Sequence, residues 1–274
     1  MLAANVVLAA IVVVNGPAGA ATVGKPKIAH RLSPVQPDQG VVLAMQPAST
    51  EAAAPQSPSA GQLLSQARRA RSIWTNFPGF KARLRVATTA GYSGQGTLTV
   101  AAGGEVKLTG FPSGLDEKPV GDYLESLVGH RLAETNPDEH VEFADDGTPA
   151  HPLGRLVKFV GDEKLHSSYR LRDDVVTQVN RQMGEVRFSI DVLHVHRDAA
   201  GKYVPEVFTV TFRDKTSGAL KRCETHLNEW TQVGNFELPS HIRLQRSGAD
   251  AESLLTLDLA GHELLPAEQS GSKP

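Results

Sequence analysis

The chain has 274 residues, and its 28 Lys and Arg against 30 Asp and Glu leave a formal net charge of −2. A balance so near neutral builds no field able to hold DNA, RNA or an anionic lipid surface, so nucleic acid is not an expected partner. The length suits one large domain, since all-β units of about 200 residues are common as single folding units.

Residues 2–14 form an almost unbroken apolar run, which Asn15-Gly16-Pro17 interrupts before the small residues Ala18-Gly19-Ala20-Ala21. An apolar run of about a dozen residues ahead of a small-residue cleavage pattern reads as a secretory leader over 1–21, too short to span a bilayer. The expectation is an exported protein, periplasmic or associated with the cell envelope, with no stable membrane span after leader removal. The usual positive segment at the start is missing, because the first basic residue is Lys25. Over 22–58, Pro26, Pro34, Pro37, Pro47, Pro55 and Pro58 are spread through Ala, Ser, Gln and Val. Such a stretch buries too little apolar surface to offset its ordering entropy, so a disordered spacer is expected there. One β-rich domain is expected over 59–266, followed by a disordered tail over 267–274.

Ser59 suits a helix N-cap, and Leu63, Leu64, Ala67, Ala70, Ile73 and Trp74 recur at helical spacing opposite Gln66, Arg68, Arg69 and Arg71. This predicts an amphipathic helix that Pro78 ends. Phe80, Ala82, Leu84 and Val86 then alternate with Lys81, Arg83 and Arg85, the period of a strand with one buried face and one solvated basic face. Strand patterns continue over 91–100 and 105–108, joined by Gly103-Gly104, a dipeptide suited to a tight hairpin. A second helix is predicted after Pro119, with Val120, Tyr123, Leu124, Leu127, Val128 and Leu132 on its apolar stripe and Asp122, Glu125 and Arg131 elsewhere.

Short strands are then predicted over 141–143, 156–160, 165–171, 175–179, 186–196, 204–212, 220–230, 242–244 and 254–259. Connectors such as Asp145-Asp146-Gly147, Asp173-Asp174 and the run 214–218 are of the Asp and Gly type that hairpins prefer. No strand–helix–strand alternation appears, so the fold class is mainly β: a large curved antiparallel sheet or partial barrel covered by two α-helices.

Several segments carry a family likeness. They are the helix running into Asn76-Phe77-Pro78-Gly79-Phe80, the central helix ending near His130-Arg131, Tyr169-Arg170-Leu171-Arg172, the stretch 204–214, and Trp230-Thr231-Gln232-Val233-Gly234. In these features the chain, from about 59 to 265, resembles an uncharacterised bacterial family, domain of unknown function 3386. That resemblance implies no established activity. The opening helix, the strand over 80–86, Gly96-Thr97-Leu98-Thr99-Val100 and the closing pair 242–244 and 254–259 are more loosely similar to the lipoprotein-carrier fold. In that fold a curved half-barrel plugged by helices holds acyl chains on its concave apolar face. It implies a hydrophobic small molecule or acyl chain as partner, although fold alone does not license function.

Among residue constellations, His194 and His196 are the sharpest, because residues two apart on a strand point the same way and can reach one metal ion. His226 or Glu224 would supply a third ligand if their strand pairs nearby, and a metal-dependent hydrolase is the reading that follows. The same histidines also continue the phase of Val186, Phe188, Ile190 and Val192, which places them at the end of an apolar face near a rim. Gly91-Tyr92-Ser93-Gly94-Gln95-Gly96 fits no nucleophile elbow, which needs glycine where Gln95 stands, and reads as a glycine-rich turn. The acid pairs Asp145-Asp146 and Asp173-Asp174 read as turn residues, and Cys223 as a small buried hydrophobe on a strand. Trp74 and Trp230 read as core residues, with ligand stacking as the alternative role. No catalytic residue and no cofactor is assigned. The leading expectation is a non-catalytic binding or carrier module with an apolar cavity. Its rivals are the hydrolase and an envelope scaffold that binds a protein through a sheet edge or the basic face.

Overall fold

The computed structural model describes residues 57–132, 140–144, 151–162, 165–248 and 252–266. The expected leader, most of the spacer, the whole of the tail and the Asp145-Asp146 turn lie outside the described residues. Helix α1 (Ala60–Ala70) begins at a reciprocal capping box: the Ser59 hydroxyl accepts from the Gln62 N–H at 3.2 Å, and the Gln62 side chain accepts from the Ser59 N–H at 2.8 Å. Ser59→Ala is expected to lower stability by about 1 kcal/mol, read as a lower urea midpoint at unchanged slope; an unmoved midpoint would show that the cap contributes nothing.

The helix stops at Ala70, short of the stripe that reaches Ile73 and Trp74 in the sequence. Tertiary pairing overrides helical spacing here. Arg71 and Trp74 form isolated parallel bridges to Tyr203 and Leu132, and the Ser72 N–H donates to the Tyr203 carbonyl at 2.9 Å. The chain after α1 is therefore an extended strap between the end of the second helix and the sheet.

Strand β1 (Gly79–Thr88) keeps its period-two pattern, with Phe80, Ala82, Leu84 and Val86 buried and Lys81, Arg83 and Arg85 exposed. Its first residue must be glycine: φ is +91° and a Cβ would lie 2.4 Å from the Val100 carbonyl oxygen. β2 (Ser93–Ala101) and β3 (Val106–Thr109) follow as antiparallel neighbours, and the Gly91 segment leads into a strand as a turn should. Helix α2 (Glu117–Gly129), capped by Asp116, buries Val120, Leu124 and Val128 and ends before Leu132, which bridges to Trp74 instead.

The chain then reappears at the opposite sheet edge as β4 (Val141–Phe143) and returns strand by strand. The order of return is β5 (Arg155–Phe159), β6 (Ser168–Arg172), β7 (Val175–Met183), β8 (Val186–Arg197), β9 (Tyr203–Asp214), β10 (Leu220–Val233), β11 (Phe236–Gly248) and β12 (Ser253–Leu264). β12 pairs with β1, giving one 12-stranded sheet in the order β3-β2-β1-β12-β11-β10-β9-β8-β7-β6-β5-β4. It is curved, open and antiparallel throughout.

Two strands differ from expectation for local reasons. β6 starts at Ser168 and not at 165, because the Asp162 carboxylate accepts from the Leu165 and Ser167 N–H groups, each at 3.1 Å, and holds a turn. β11 extends far beyond 242–244, running through Pro239, which lies opposite Trp230 where the register shifts. Proline is tolerated within a sheet at such a bulge, although it makes the run look shorter.

The buried side chains fall into separate groups. The largest, beneath α2, joins Phe80, Leu84, Leu98, Leu124, Ile242 and Leu257. A second joins Leu64 and Ala67 of α1 to Val141, Val157 and Leu171. A third is Phe188, Val210 and Phe212 on β8 and β9.

Candidate ligand-binding cavity

These three groups do not merge, and the gap between them is a cavity of about 220 Å³. Its wall takes the half-buried fringe of each: Leu127 and Trp230 from the first, Tyr169 and Val176 from the second, Ile190 and Phe208 from the third. Residues of α1, the strap and α2 border it together, so both helices lie on the same face of the sheet. The lining is mainly apolar, yet it also contains Arg68, Arg71, Arg131 and Arg181, and among the described residues that line it there is no Asp or Glu.

Arg131 is the unusual member. Predicted to lie off the apolar stripe of a helix, it instead follows the last turn of α2 and is 4% exposed. Helical phase no longer applies there, because α2 ends at Gly129 and the chain turns toward the strap. The Arg131 carbonyl accepts from the Trp74 N–H, and its Nη2 donates to the Ser72 hydroxyl at 3.2 Å. Ser72 Oγ in turn donates to Asp198. The guanidinium carbon sits 5.5 Å from the Trp74 ring centre and 4.8 Å from that of Trp230, within cation–π range of both. Burial pulls the group down to about 10, opposed by the charges of Glu237 and Asp198 and assisted by Arg71, so it remains a cation at neutral pH.

Its Nε and Nη1 find no hydrogen-bond partner among the described residues, and the same holds for Trp230 Nε1 and Asn228 Nδ2 on the same cavity. Trp74 Nε1 by contrast donates to the Glu237 carbonyl at 3.1 Å. Of the two tryptophans, then, Trp74 is a core residue and Trp230 a half-buried wall residue.

Beside the cavity stands a buried polar cluster. Tyr123 Oη lies 3.3 Å from both His226 Nδ1 and Asn228 Oδ1, and the His226 ring stacks on Phe208 at 4.3 Å. His226 Nε2 faces Glu224 at 3.5 Å, and Glu224 accepts from Arg246 at 2.8 Å. Burial and the Glu224 charge push the Tyr123 phenol well above its ordinary range, so it stays protonated and able to donate.

The sequence-predicted metal ligands are split by this arrangement. His194 and His196 do meet, on Glu206, at 3.3 and 2.9 Å, and His196 also reaches Glu237 at 3.0 Å. His226 and Glu224 belong to the separate cluster beside Tyr123. Among the described residues no group of three His, Cys, Asp or Glu side chains is placed to hold one metal ion. Asp174 is held by a bidentate Arg197 pair at 2.6 and 2.7 Å, while Asp173 takes the positive φ of a turn. Cys223 is half-buried beside Thr211 and not enclosed in a core. A second, larger cleft of about 710 Å³ is more open and lies on β7 to β9 among Arg181, Arg187, Arg213 and Lys215. It lacks the apolar enclosure of the first. No helix among the described residues is long and apolar enough to cross a membrane.

Sequence reasoning missed Arg131, Ser72 and Asn228. Nothing in local spacing marks them, since each is brought to the cavity by the strap or by pairing of distant strands. Trp230 carried a signal, as an aromatic with stacking as its alternative role, but Trp74 carried the same one.

No curated protein matches the chain in sequence. The crystal structure of LolA superfamily protein NE2245 from Nitrosomonas europaea is similar at a TM-score of 0.28 and 10% identity, over 77% of this chain and 95% of that one. A likeness of that size carries no argument about ligand or mechanism. A family model described as protein of unknown function (DUF3386) matches residues 55–265, well over half of the chain, and the protein therefore belongs to that family.

Proposed function

We propose that the protein is a non-catalytic binding or carrier module for a hydrophobic small molecule or acyl chain, held between the two helices and the curved sheet. The observation that carries this reading is the mainly apolar cavity lying where three hydrophobic groups fail to meet. Protein interiors are otherwise close-packed, so a gap of this size whose wall carries Val176, Val192, Ile190 and Phe208 offers an apolar group a place to bury surface. At about 220 Å³ it is smaller than the roughly 300–1,000 Å³ of drug-sized sites, which favours a short or partly inserted apolar group. The leader-like run at 2–14 extends the proposal to the cell envelope, and N-terminal sequencing of the mature protein tests that part.

Native mass spectrometry of the purified protein, before and after organic-solvent extraction, tests the reading. A co-purifying lipid-like mass is expected. Restoring such a ligand at about a hundred times its Kd should raise stability by about 2.7 kcal/mol. A protein that carries no organic mass and gains no stability from short amphiphiles would overturn it. Stoichiometric zinc without such a mass would move the reading to His194 and His196.

A further inference from the structure

The cavity wall has a chemical asymmetry that an apolar ligand alone does not explain. Among the described residues that line it, Arg131 and Arg181 bring cations and none brings a carboxylate, in a chain whose formal net charge is −2. The neighbouring acids stand behind the wall: Asp198 is reached through the Ser72 hydroxyl, and Glu237 lies beside Trp74 and His196. Four buried donor atoms, Arg131 Nε and Nη1, Trp230 Nε1 and Asn228 Nδ2, have no acceptor among the described residues. Buried donors are nearly always paired, and the cost of leaving one unpaired is greatest for a charged group. All four are donors, so the missing complement is an acceptor. Arg131 and Asn228 are 4% and 1% exposed, which keeps bulk water from supplying it.

We propose that this cluster is an oxyanion-headgroup site: the ligand is an amphiphile whose carboxylate or phosphate docks on Arg131, with Trp230 Nε1 and Asn228 Nδ2 as supporting donors. This rests on the hydrophobic-ligand reading above. The apolar tail lies against Val192, Ile190 and Phe208, which line the same cavity. The guanidinium, fixed between Trp74 and Trp230 and bonded to Ser72, is preorganised for a planar or tetrahedral oxyanion in a site of low dielectric. The donor atoms are covered in this structure, so engagement takes a side-chain shift at the wall.

The chain contains 2 tryptophans, and both flank Arg131, so intrinsic fluorescence reports on the site directly. The test is titration of the full protein with octanoate, octyl phosphate and 1-octanol, followed by tryptophan emission and by calorimetry. Octanoate or octyl phosphate is expected to bind at least about tenfold more tightly than 1-octanol, and the tighter of the two identifies the headgroup. Arg131→Met should erase that ratio, bringing the affinities for octanoate and octyl phosphate down to that for 1-octanol. A purely structural role for Arg131 would change stability without moving the ratio. Equal affinity of all three ligands for the native protein would overturn the headgroup site and leave the cavity reading standing. Binding of none would overturn both. If Arg131→Met fails to fold, the native comparison still decides, and Asn228→Leu serves as the second variant, with a reduced ratio expected.

Discussion

Phe80→Ala is expected to lower stability by about 3–5 kcal/mol, the range for removing a fully buried aromatic side chain. Phe80 is 0% exposed on β1, opposite Val100 of β2 and Leu264 of β12, so its ring fills the junction of three strands. It also begins an aromatic chain: Phe77 meets it edge-on at 6.2 Å, and Trp74 stacks on Phe77 at 4.4 Å. The substitution leaves a cavity at the base of the largest core group and loosens the support of Trp74, which braces Arg131. For a domain of this size the melting temperature should fall by roughly 6–20 °C. Lys81→Ala, on the exposed side of the same strand, should change stability by less than about 0.5 kcal/mol. Urea unfolding of the two variants decides the matter, and a loss below about 1 kcal/mol for Phe80→Ala would contradict the packing described.

Glu224→Gln should cost about 3 kcal/mol at neutral pH, and the cost should shrink in acid. Burial raises the Glu224 carboxyl, but the facing His226 ring at 3.5 Å and the charges of Arg246 and Arg222 outweigh it, so its value in the folded protein lies below the ordinary carboxylate range. A carboxylate depressed on folding contributes stability that is full above its unfolded value and is lost as the pH falls through the folded one. The window therefore opens below about pH 5. Removing one partner of a buried pair usually costs about 3–5 kcal/mol; the low end applies because the side chains of Arg222 and Arg246 remain 22% and 29% exposed and regain water. Unfolding free energies of native protein and variant should draw together as the pH falls below about 5. Parallel curves would show that Glu224 is not the group responsible. The Tyr123 phenol supplies a second readout: with the Glu224 charge gone, its ultraviolet titration should move down toward the ordinary tyrosine range.

The architecture was legible where local physics governs it. Alternation of Phe80, Ala82, Leu84 and Val86 with Lys81, Arg83 and Arg85 specifies a strand and its buried face, because successive side chains on extended backbone point to opposite sides. The Ser59 cap, the apolar stripe of α2 and the turn residues between strands work in the same way, each within a few neighbours, and together they imply a curved antiparallel sheet carrying two helices. The pairing of β1 with β12 and the sheet order were out of reach, since they join residues at opposite ends of the domain. The same holds for the strap, where bridges from Arg71 to Tyr203 and from Trp74 to Leu132 overrule a helical stripe.

The site belongs to that second class. His194 and His196 were visible as a pair because two residues suffice to align them, but Glu206 and Glu237, which engage them, come from other strands. Arg131 looked like an ordinary polar residue of a helix, and only the end of α2 at Gly129 and the closing of the strap turn it inward. Local sequence determined which backbone segments form and which faces they bury, because those choices depend on spacing along the chain. Tertiary structure alone decided that three apolar groups would stay apart and that a cation would stand in the gap, because both depend on contacts between residues far apart in sequence.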